Sequence, residues 1–182
     1  MPDAPLTRVV VEIAGSPFHA LVTPEDGVVR AAGFTTPDDP EAAELWARLA
    51  RLDPPTAARG IAAHPAEAGA VAAALRAYQR GDLAALDGLP VRQRESPFRG
   101  EVWRALRTVP AGSVVSYTAL ADSAGRPTAV RAAASACANN LIALIVPCHR
   151  VVRGDGALGG YLYGVDVKQR LLEHEGARQA RQ

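Results

Sequence analysis

The stretch SYTALADSAGRPTAVRAAASACANN, residues 116–140, decides how the C-terminal half of this chain is built. Ser116 is a good N-cap for a short helix, Tyr117 to Ala124. Gly125 then turns the chain, and Pro127 opens a second helix that the spacing carries to about Asn139. Helix, glycine turn, helix is the helix-turn-helix pattern of DNA-binding proteins. On the second helix Val130, Ala133, Ala134 and Cys137 fall at i, i+3, i+4 and i+7, an expected core face that gives Cys137 a structural role. The opposite face reads Thr128, Arg131, Ser135 and Ala138 with Asn139, and Arg131 is its only charge. Helices that read base edges in the major groove usually carry several long polar side chains, and this one is nearly bare. Small residues let a helix backbone come close, as a minor groove only about 6 Å wide requires. Taken alone, the helix reads better as an Ala-rich packing helix with a solvated arginine. Its neighbours change the balance.

The nearest is LIVPCHRVV, residues 144–152. An apolar run with the look of a buried strand stops at Pro147, and Cys148 and His149 follow at a constrained bend. A basic neighbour lowers the pKa of a thiol and makes it a nucleophile. Adjacent side chains of an extended segment point opposite ways, so the pair needs a turn or a bridging water to cooperate. Arg153-Gly154-Asp155-Gly156 then reads as a hairpin turn and Gly159–Gly164 as a flexible aromatic loop. The last helix, Val165 to Glu175, ends at Gly176 with Leu171 and Leu172 inward. Glu173 and Glu175 oppose the macrodipole at its C-terminus, so one of them has another task.

Working outward to the N-terminus, Arg8–Ile13, Phe18–Val22 and Val28–Phe34 are β-prone runs separated by Gly15-Ser16-Pro17 and Pro24-Glu25-Asp26-Gly27, a small antiparallel meander. Asp38-Asp39-Pro40 caps a helix to Leu52 with Leu45, Trp46 and Leu49 on one face, and Asp53-Pro54-Pro55 ends it. A second helix runs from about Pro65 to Arg80, with a core stripe of Val71, Ala74, Leu75 and Tyr78. His19 and His64 are isolated and read as surface residues. A boundary near Leu89–Glu95 divides the chain into residues 1–91 and 92–182, and Ser96-Pro97 starts a helix that continues to Val109.

Composition excludes several classes. Two cysteines, Cys137 and Cys148, make no disulfide framework, and four scattered histidines make no metal cluster. No apolar run approaches the roughly 20 residues of a membrane span, and no signal peptide is evident. A reducing cytoplasm is the expected home. The net charge of +1 hides an asymmetry: residues 1–91 hold 7 basic and 12 acidic side chains, residues 92–182 hold 13 and 7. The half with Cys148 is the one suited to a polyanion.

With these residues in place, the sequence resembles the O6-alkylguanine-DNA alkyltransferases, the methylated-DNA–protein-cysteine methyltransferases. The carrying residues are Pro147-Cys148-His149-Arg150-Val151-Val152, Ser116-Tyr117 upstream, Arg131 and Asn140 between, and Leu171-Leu172-Glu173-His174-Glu175-Gly176 downstream. The resemblance implies an α+β fold. A ribonuclease H-like N-terminal part, a small antiparallel sheet with helices, precedes a winged-helix-like helix-turn-helix domain. It implies single-turnover repair, with Cys148 taking the alkyl group from O6-alkylguanine, and from O4-alkylthymine, in double-stranded DNA. His149 would act through a water as base, Glu175 would orient it, and Asn140 would fix the loop. Tyr117 would donate to the guanine ring, and Arg131 would fill the stack once the nucleotide is flipped out. Thr128 and Ser135 would face the groove, and backbone groups near Val151, Tyr161 and Leu162 would line the base pocket. Leu162 stands where some relatives have serine, which leaves an O6 contact there to a backbone N–H. No cofactor, metal or membrane is implied, and a monomer able to assemble along DNA is expected. Two other readings use the same residues: a helix-turn-helix regulator with a sensor thiol, and a cysteine hydrolase with a Cys/His/Glu triad.

Overall fold

The three β-prone runs become strands β1 (Thr7–Ile13), β2 (Ser16–Val22) and β3 (Val29–Phe34), paired antiparallel in that order. The structure is a computed structural model and describes residues 4–36, 38–39, 41–62 and 69–177. The first hairpin closes on Ala14 and Gly15 rather than on the expected Gly15-Ser16-Pro17, and Ser16 already pairs with Ile13. Both loop residues have positive φ, 48° and 74°, as a two-residue hairpin turn demands. The fold is α+β.

The chain divides into two compact units, Met1–Arg94 with Leu141–Ile145, and Glu95–Asn140 with Val146–Gln182. In the first, helix α1 (Ala43–Leu52) packs on β3 and α3 (Ala70–Gln79) on β1, with the one-turn α2 (Pro54–Ala57) directly after α1. Helix α1 starts later than the Asp38-Asp39-Pro40 cap predicts, with Ala42 as its N-cap. The Asp39 carboxylate still serves it, accepting from the N–H groups of Ala43 at 2.7 Å and Glu44 at 3.0 Å. On α3 the buried stripe is Val71, Ala72, Leu75 and Tyr78, so Ala72 takes the inward place expected of Ala74. Pro40, His64 and the start of the second helix at Pro65 lie outside the described residues.

The apolar run before Cys148 is buried from Leu141 to Val146, yet it is not a strand. Only one bridge forms, Ala32 to Ile142, and Leu144 adopts φ 67°. A left-handed leucine costs roughly 1–2 kcal/mol. Short apolar runs do not distinguish a buried strand from a buried turn, which is why the sequence misleads here.

His19 corrects the expectation of a surface residue. It sits in β2 with 2% of its surface exposed, and its Nδ1 has no partner among the described residues. Burial, helped by the Arg8 charge, pushes its pKa below the ordinary 6.5, while Glu41 and Asp39 pull the other way. A histidine held neutral in the fold contributes stability that is present above 6.5 and is lost as pH falls below it. In His19→Gln, denaturant unfolding followed from pH 7 to 5 is expected to lose up to about 1.4 kcal/mol per pH unit of that slope. An unchanged slope would remove His19 from the acid response.

The second unit holds α4 (Pro97–Arg107), β4 (Val115–Ser116), α5 (Tyr117–Ser123), α6 (Val130–Ala138), β5 (Val151–Val152) and α7 (Val165–His174). Ser116 caps α5, its Oγ accepting from the Ala119 N–H at 3.1 Å. Gly125 turns at φ 76°, but α6 begins at Val130, so Pro127 and Thr128 lie in the turn and not in the helix. The core face of α6 centres on Ala133 and Ala136, while Val130, Ala134 and Cys137 are only half-buried. The Ala136 carbonyl accepts from the Trp103 indole at 3.0 Å. β5 pairs in parallel with β4, Val115 against Val151, so the Arg153–Gly156 turn closes no hairpin. Among the described residues no helix is long and apolar enough to cross a membrane.

Candidate active site

Pro147 brings the buried run to a stop, and the chain winds into a single 3-10 turn, Cys148–Arg150, instead of continuing extended. The Cys148 N–H is held by the Val146 carbonyl at 2.8 Å, and the Val151 N–H returns to the Cys148 carbonyl. With about three residues per turn, successive side chains leave in three directions. Cys148 stays half-exposed while His149 and Arg150 are driven inward. The turn that the Cys-His pair needs is therefore built into the backbone.

His149 is fully buried, and its Nε2 lies 2.9 Å from Glu175 Oε1. Arg150 grips the same carboxylate from the other side, Nε to Oε2 at 3.0 Å and Nη2 to Oε1 at 2.9 Å. Its Nη1 donates to the Val109 carbonyl at 2.5 Å. Burial alone would push the Glu175 carboxyl up, but His149 and the Arg150 guanidinium hold it far below the usual carboxylate range. Burial pushes His149 down, with Arg150 and Lys168 adding to that and Glu175 opposing, so the imidazole is neutral at neutral pH. An ionised carboxylate can only accept, so the single imidazole proton belongs on Nε2. Nδ1 then carries the lone pair, and it has no hydrogen-bond partner among the described residues. The result is a fixed neutral base one residue from a thiol.

Two local features place Glu175. It follows the last turn of α7, and Gly176 ends the helix at φ 66°. Gly112, at φ 81°, approaches the Glu175 carbonyl so closely that a Cβ would lie 3.0 Å from that oxygen. Of the two acidic residues that oppose the dipole, Glu175 has the inward task, and Glu173 stays exposed with Gln169 at 2.8 Å. Asn140 is buried, and its Nδ2 donates to the Val146 carbonyl at 2.8 Å and lies 3.4 Å from Cys148 Sγ. It thus pins the turn and touches the thiol. Tyr117 is half-buried. Burial raises its hydroxyl pKa, as do the Cys137 and Cys148 thiols, so it remains a donor.

The sequence and the fold both have counterparts among known proteins. The profile of the family described as "6-O-methylguanine DNA methyltransferase, DNA binding domain" matches residues 97–177. A methylated-DNA–protein-cysteine methyltransferase of Shigella flexneri is 47% identical over 102 residues, covering 56% of this chain and 60% of that protein. The crystal structure of Mycobacterium tuberculosis O6-methylguanine methyltransferase superimposes with a TM-score of 0.69 at 30% identity, covering 94% of this chain and 93% of that one. The chain belongs to the O6-alkylguanine-DNA alkyltransferase family. A structure of the M. tuberculosis protein in complex with DNA matches with the same TM-score at 27% identity, covering 93% of this chain and 92% of that one. The matched stretch spans 26% of the length of a bifunctional Escherichia coli relative and 62% of one from Mycobacterium bovis.

In this alkyltransferase-family chain the residues expected to face DNA differ in exposure. Thr128, Arg131, Ser135 and Ala138 are all exposed on α6 or in the turn before it. Tyr161 is half-buried and stacks edge-to-face on Tyr163 with ring centroids 5.6 Å apart. The Leu162 side chain is 50% exposed at the tip of a turn closed by Gly164 N–H to the Tyr161 carbonyl. Val151 is fully buried, its N–H spent on Cys148 and its carbonyl accepting from Lys168 Nζ at 2.5 Å. A carbonyl has a second lone pair, so an acceptor remains there. Among the described residues no group of three or more His, Cys, Asp or Glu could hold a metal ion.

Two members of the site escape a reading of the sequence. Arg150 looks like one more surface arginine in an arginine-rich half, and nothing in its neighbours tells that its guanidinium is buried. Lys168 does carry a signal: it is the only lysine of the chain, seven residues before Glu175 and so on the same face of α7.

Proposed function

We propose that this chain performs direct-reversal DNA repair, removing the alkyl group from O6-alkylguanine in double-stranded DNA by irreversible transfer to Cys148. The observation that carries the reading is a neutral, fully buried His149, oriented by Glu175 with its Nδ1 lone pair open, one residue from the thiol. The Cys148 proton passes to Nδ1 through a bridging water. The thiolate then attacks the alkyl carbon in line with O6: the S–C bond forms, the C–O6 bond breaks and its electron pair stays on the base. Tyr117 donates toward the guanine ring as that charge develops, a donor preset by its raised pKa. A thioether does not give the group back, so each molecule acts once and needs no cofactor. O4-alkylthymine presents the same O-alkyl carbon and is the natural second substrate.

Access to the lesion falls to α6 in the minor groove, with Thr128 and Ser135 beside the backbone and Arg131 in the gap left by the flipped nucleotide. The base would rest against backbone groups at Val151, Tyr161 and Leu162. The N-terminal residues supply support rather than chemistry, the protein acts as a monomer able to assemble along DNA, and its two free cysteines suit a cytoplasmic location.

Intact-mass measurement after incubation with a duplex carrying O6-methylguanine tests this. One added methyl per molecule, mapped to Cys148 and absent in Cys148→Ser, is expected. Repeated product release without change in protein mass would instead favour a cysteine hydrolase. An unmodified protein that binds DNA would favour a regulator.

A further inference from the structure

We propose that Lys168 is the fixed counter-cation of the Cys148 thiolate, a positioning residue that acts on the nucleophile through its charge. The inference rests on reading Cys148 as the alkyl acceptor. Lys168 is fully buried, which is rare for lysine. Its Nζ donates to the Val151 carbonyl at 2.5 Å and to the Leu158 carbonyl, and these are its partners among the described residues. Neither neutralises an ammonium. A buried charge needs an opposite charge nearby, and the carboxylate on the same face of α7, Glu175, is already committed to His149 and Arg150.

The charges of the site therefore do not cancel while the thiol is protonated. Glu175 contributes one negative charge, Arg150 and Lys168 one positive each, and the neutral His149 none. Ionising one more acid, with its proton lost to solvent, brings the cluster to zero. While His149 still holds that proton during transfer, Lys168 remains an added positive charge facing the new anion. The candidates around it are Cys148 from the 3-10 turn, Cys137 from α6 and Tyr117 from α5, with the Arg153 cation beyond β5. Cys137 is excluded, because burial pushes its thiol up strongly, and Tyr117 is likewise raised. Cys148 is left. Lys168 responds in kind: burial lowers its pKa, while the Cys148 and Cys137 thiols support its charge. Because the Val151 carbonyl that accepts from Lys168 Nζ lies one residue past the Cys148–Arg150 turn, this contact holds the ammonium against the segment that leads directly from the nucleophile.

The test is the pH dependence of Cys148 alkylation by iodoacetamide in the full chain, assigned by peptide mass, in the wild type and in Lys168→Met, Lys168→Gln and Lys168→Arg. Iodoacetamide needs no DNA, so the readout survives even if methyl transfer from DNA fails. Loss of the charge in the Met and Gln variants is expected to raise the midpoint by about one pH unit or more. That slows alkylation about tenfold at neutral pH and leaves the alkaline plateau unchanged. Arginine should keep the wild-type midpoint. Glutamine retains an N–H for the carbonyls and serves if the methionine variant does not fold. Equal midpoints in wild type and Gln variant would overturn the proposal and reduce Lys168 to a tie between Val151 and Leu158. So would a wild-type midpoint at or above the ordinary thiol value of about 8.5.

Discussion

Glu175→Gln is expected to slow alkyl transfer by about two orders of magnitude or more and to destabilise the protein by about 3–5 kcal/mol at neutral pH. Both losses trace to the one carboxylate that His149 and Arg150 share. An amide can offer its N–H₂ to Nε2, which would move the imidazole proton to Nδ1 and remove the lone pair that accepts the thiol proton. General-base assistance is typically worth about 10² to 10⁴ in rate, and that is the range at stake. The stability loss comes from Arg150, left 5% exposed with its charge unanswered.

The pH response gives this variant a signature of its own. Glu175 has a folded-state pKa below the ordinary 4.5, so its stabilisation is present above that value and is lost as pH falls through the folded one. His149 is also lowered, from 6.5, so its contribution is likewise lost as pH falls, but from 6.5 downward. Denaturant unfolding across this range should therefore show two acid limbs in the wild type. Glu175→Gln should keep the upper and have a shallower lower limb, with Asp53 and the other lowered carboxylates supplying what remains. Single-turnover transfer measured against pH completes the test. A variant with wild-type rate and a lower limb as steep as the wild type's would take Glu175 out of the site.

How much of this was legible in the sequence depends on what kind of signal each element leaves. Local chemistry was readable: Ser116 caps α5, Gly125 turns, and the β-prone runs pair as a meander. Burial in a tertiary context was not. His19 looks isolated and polar along the chain, and only the strands flanking β2 put it inside. The run before Cys148 is apolar enough for a strand, yet among the described residues its strand pairing is a single bridge, Ala32 to Ile142, and it curls at Leu144. Spacing set α6 three residues too early because Pro127 is equally at home in a turn. At the site, the family resemblance named Cys148, His149, Asn140 and Glu175, while Arg150 stood inside the Cys148 motif without a role and Lys168 showed only as the one lysine of the chain. A buried cation is recognised by its partners, and these lie 25 and 17 residues away in sequence.

Arg131→Ala is expected to cut repair of duplex O6-methylguanine about a hundredfold and to leave reaction with free O6-benzylguanine nearly unchanged. Flipping a nucleotide out of a duplex costs a few kcal/mol, and each 1.36 kcal/mol is a factor of ten in rate, which sets the size of the effect. The free base has no stack to leave, so it needs no side chain in the gap. Misfolding cannot imitate this split, since Arg131 is exposed on α6 and alanine is the better helix former. Loss of a phosphate contact would also spare the free base, and binding to undamaged duplex tells the two apart. Removing one such charge lowers the salt dependence of binding by about one counterion and weakens binding to undamaged duplex just as much. Arg131→Lys separates the two roles: it keeps the charge but has no planar group to stack between bases. Lysine should therefore restore affinity for undamaged DNA without restoring the rate on the lesion. If lysine rescues the rate, α6 holds the duplex by charge alone and the nucleotide is displaced by some other group. If both substrates slow equally in the alanine variant, Arg131 acts on the reaction itself and not on the flipped-out nucleotide's place in the stack.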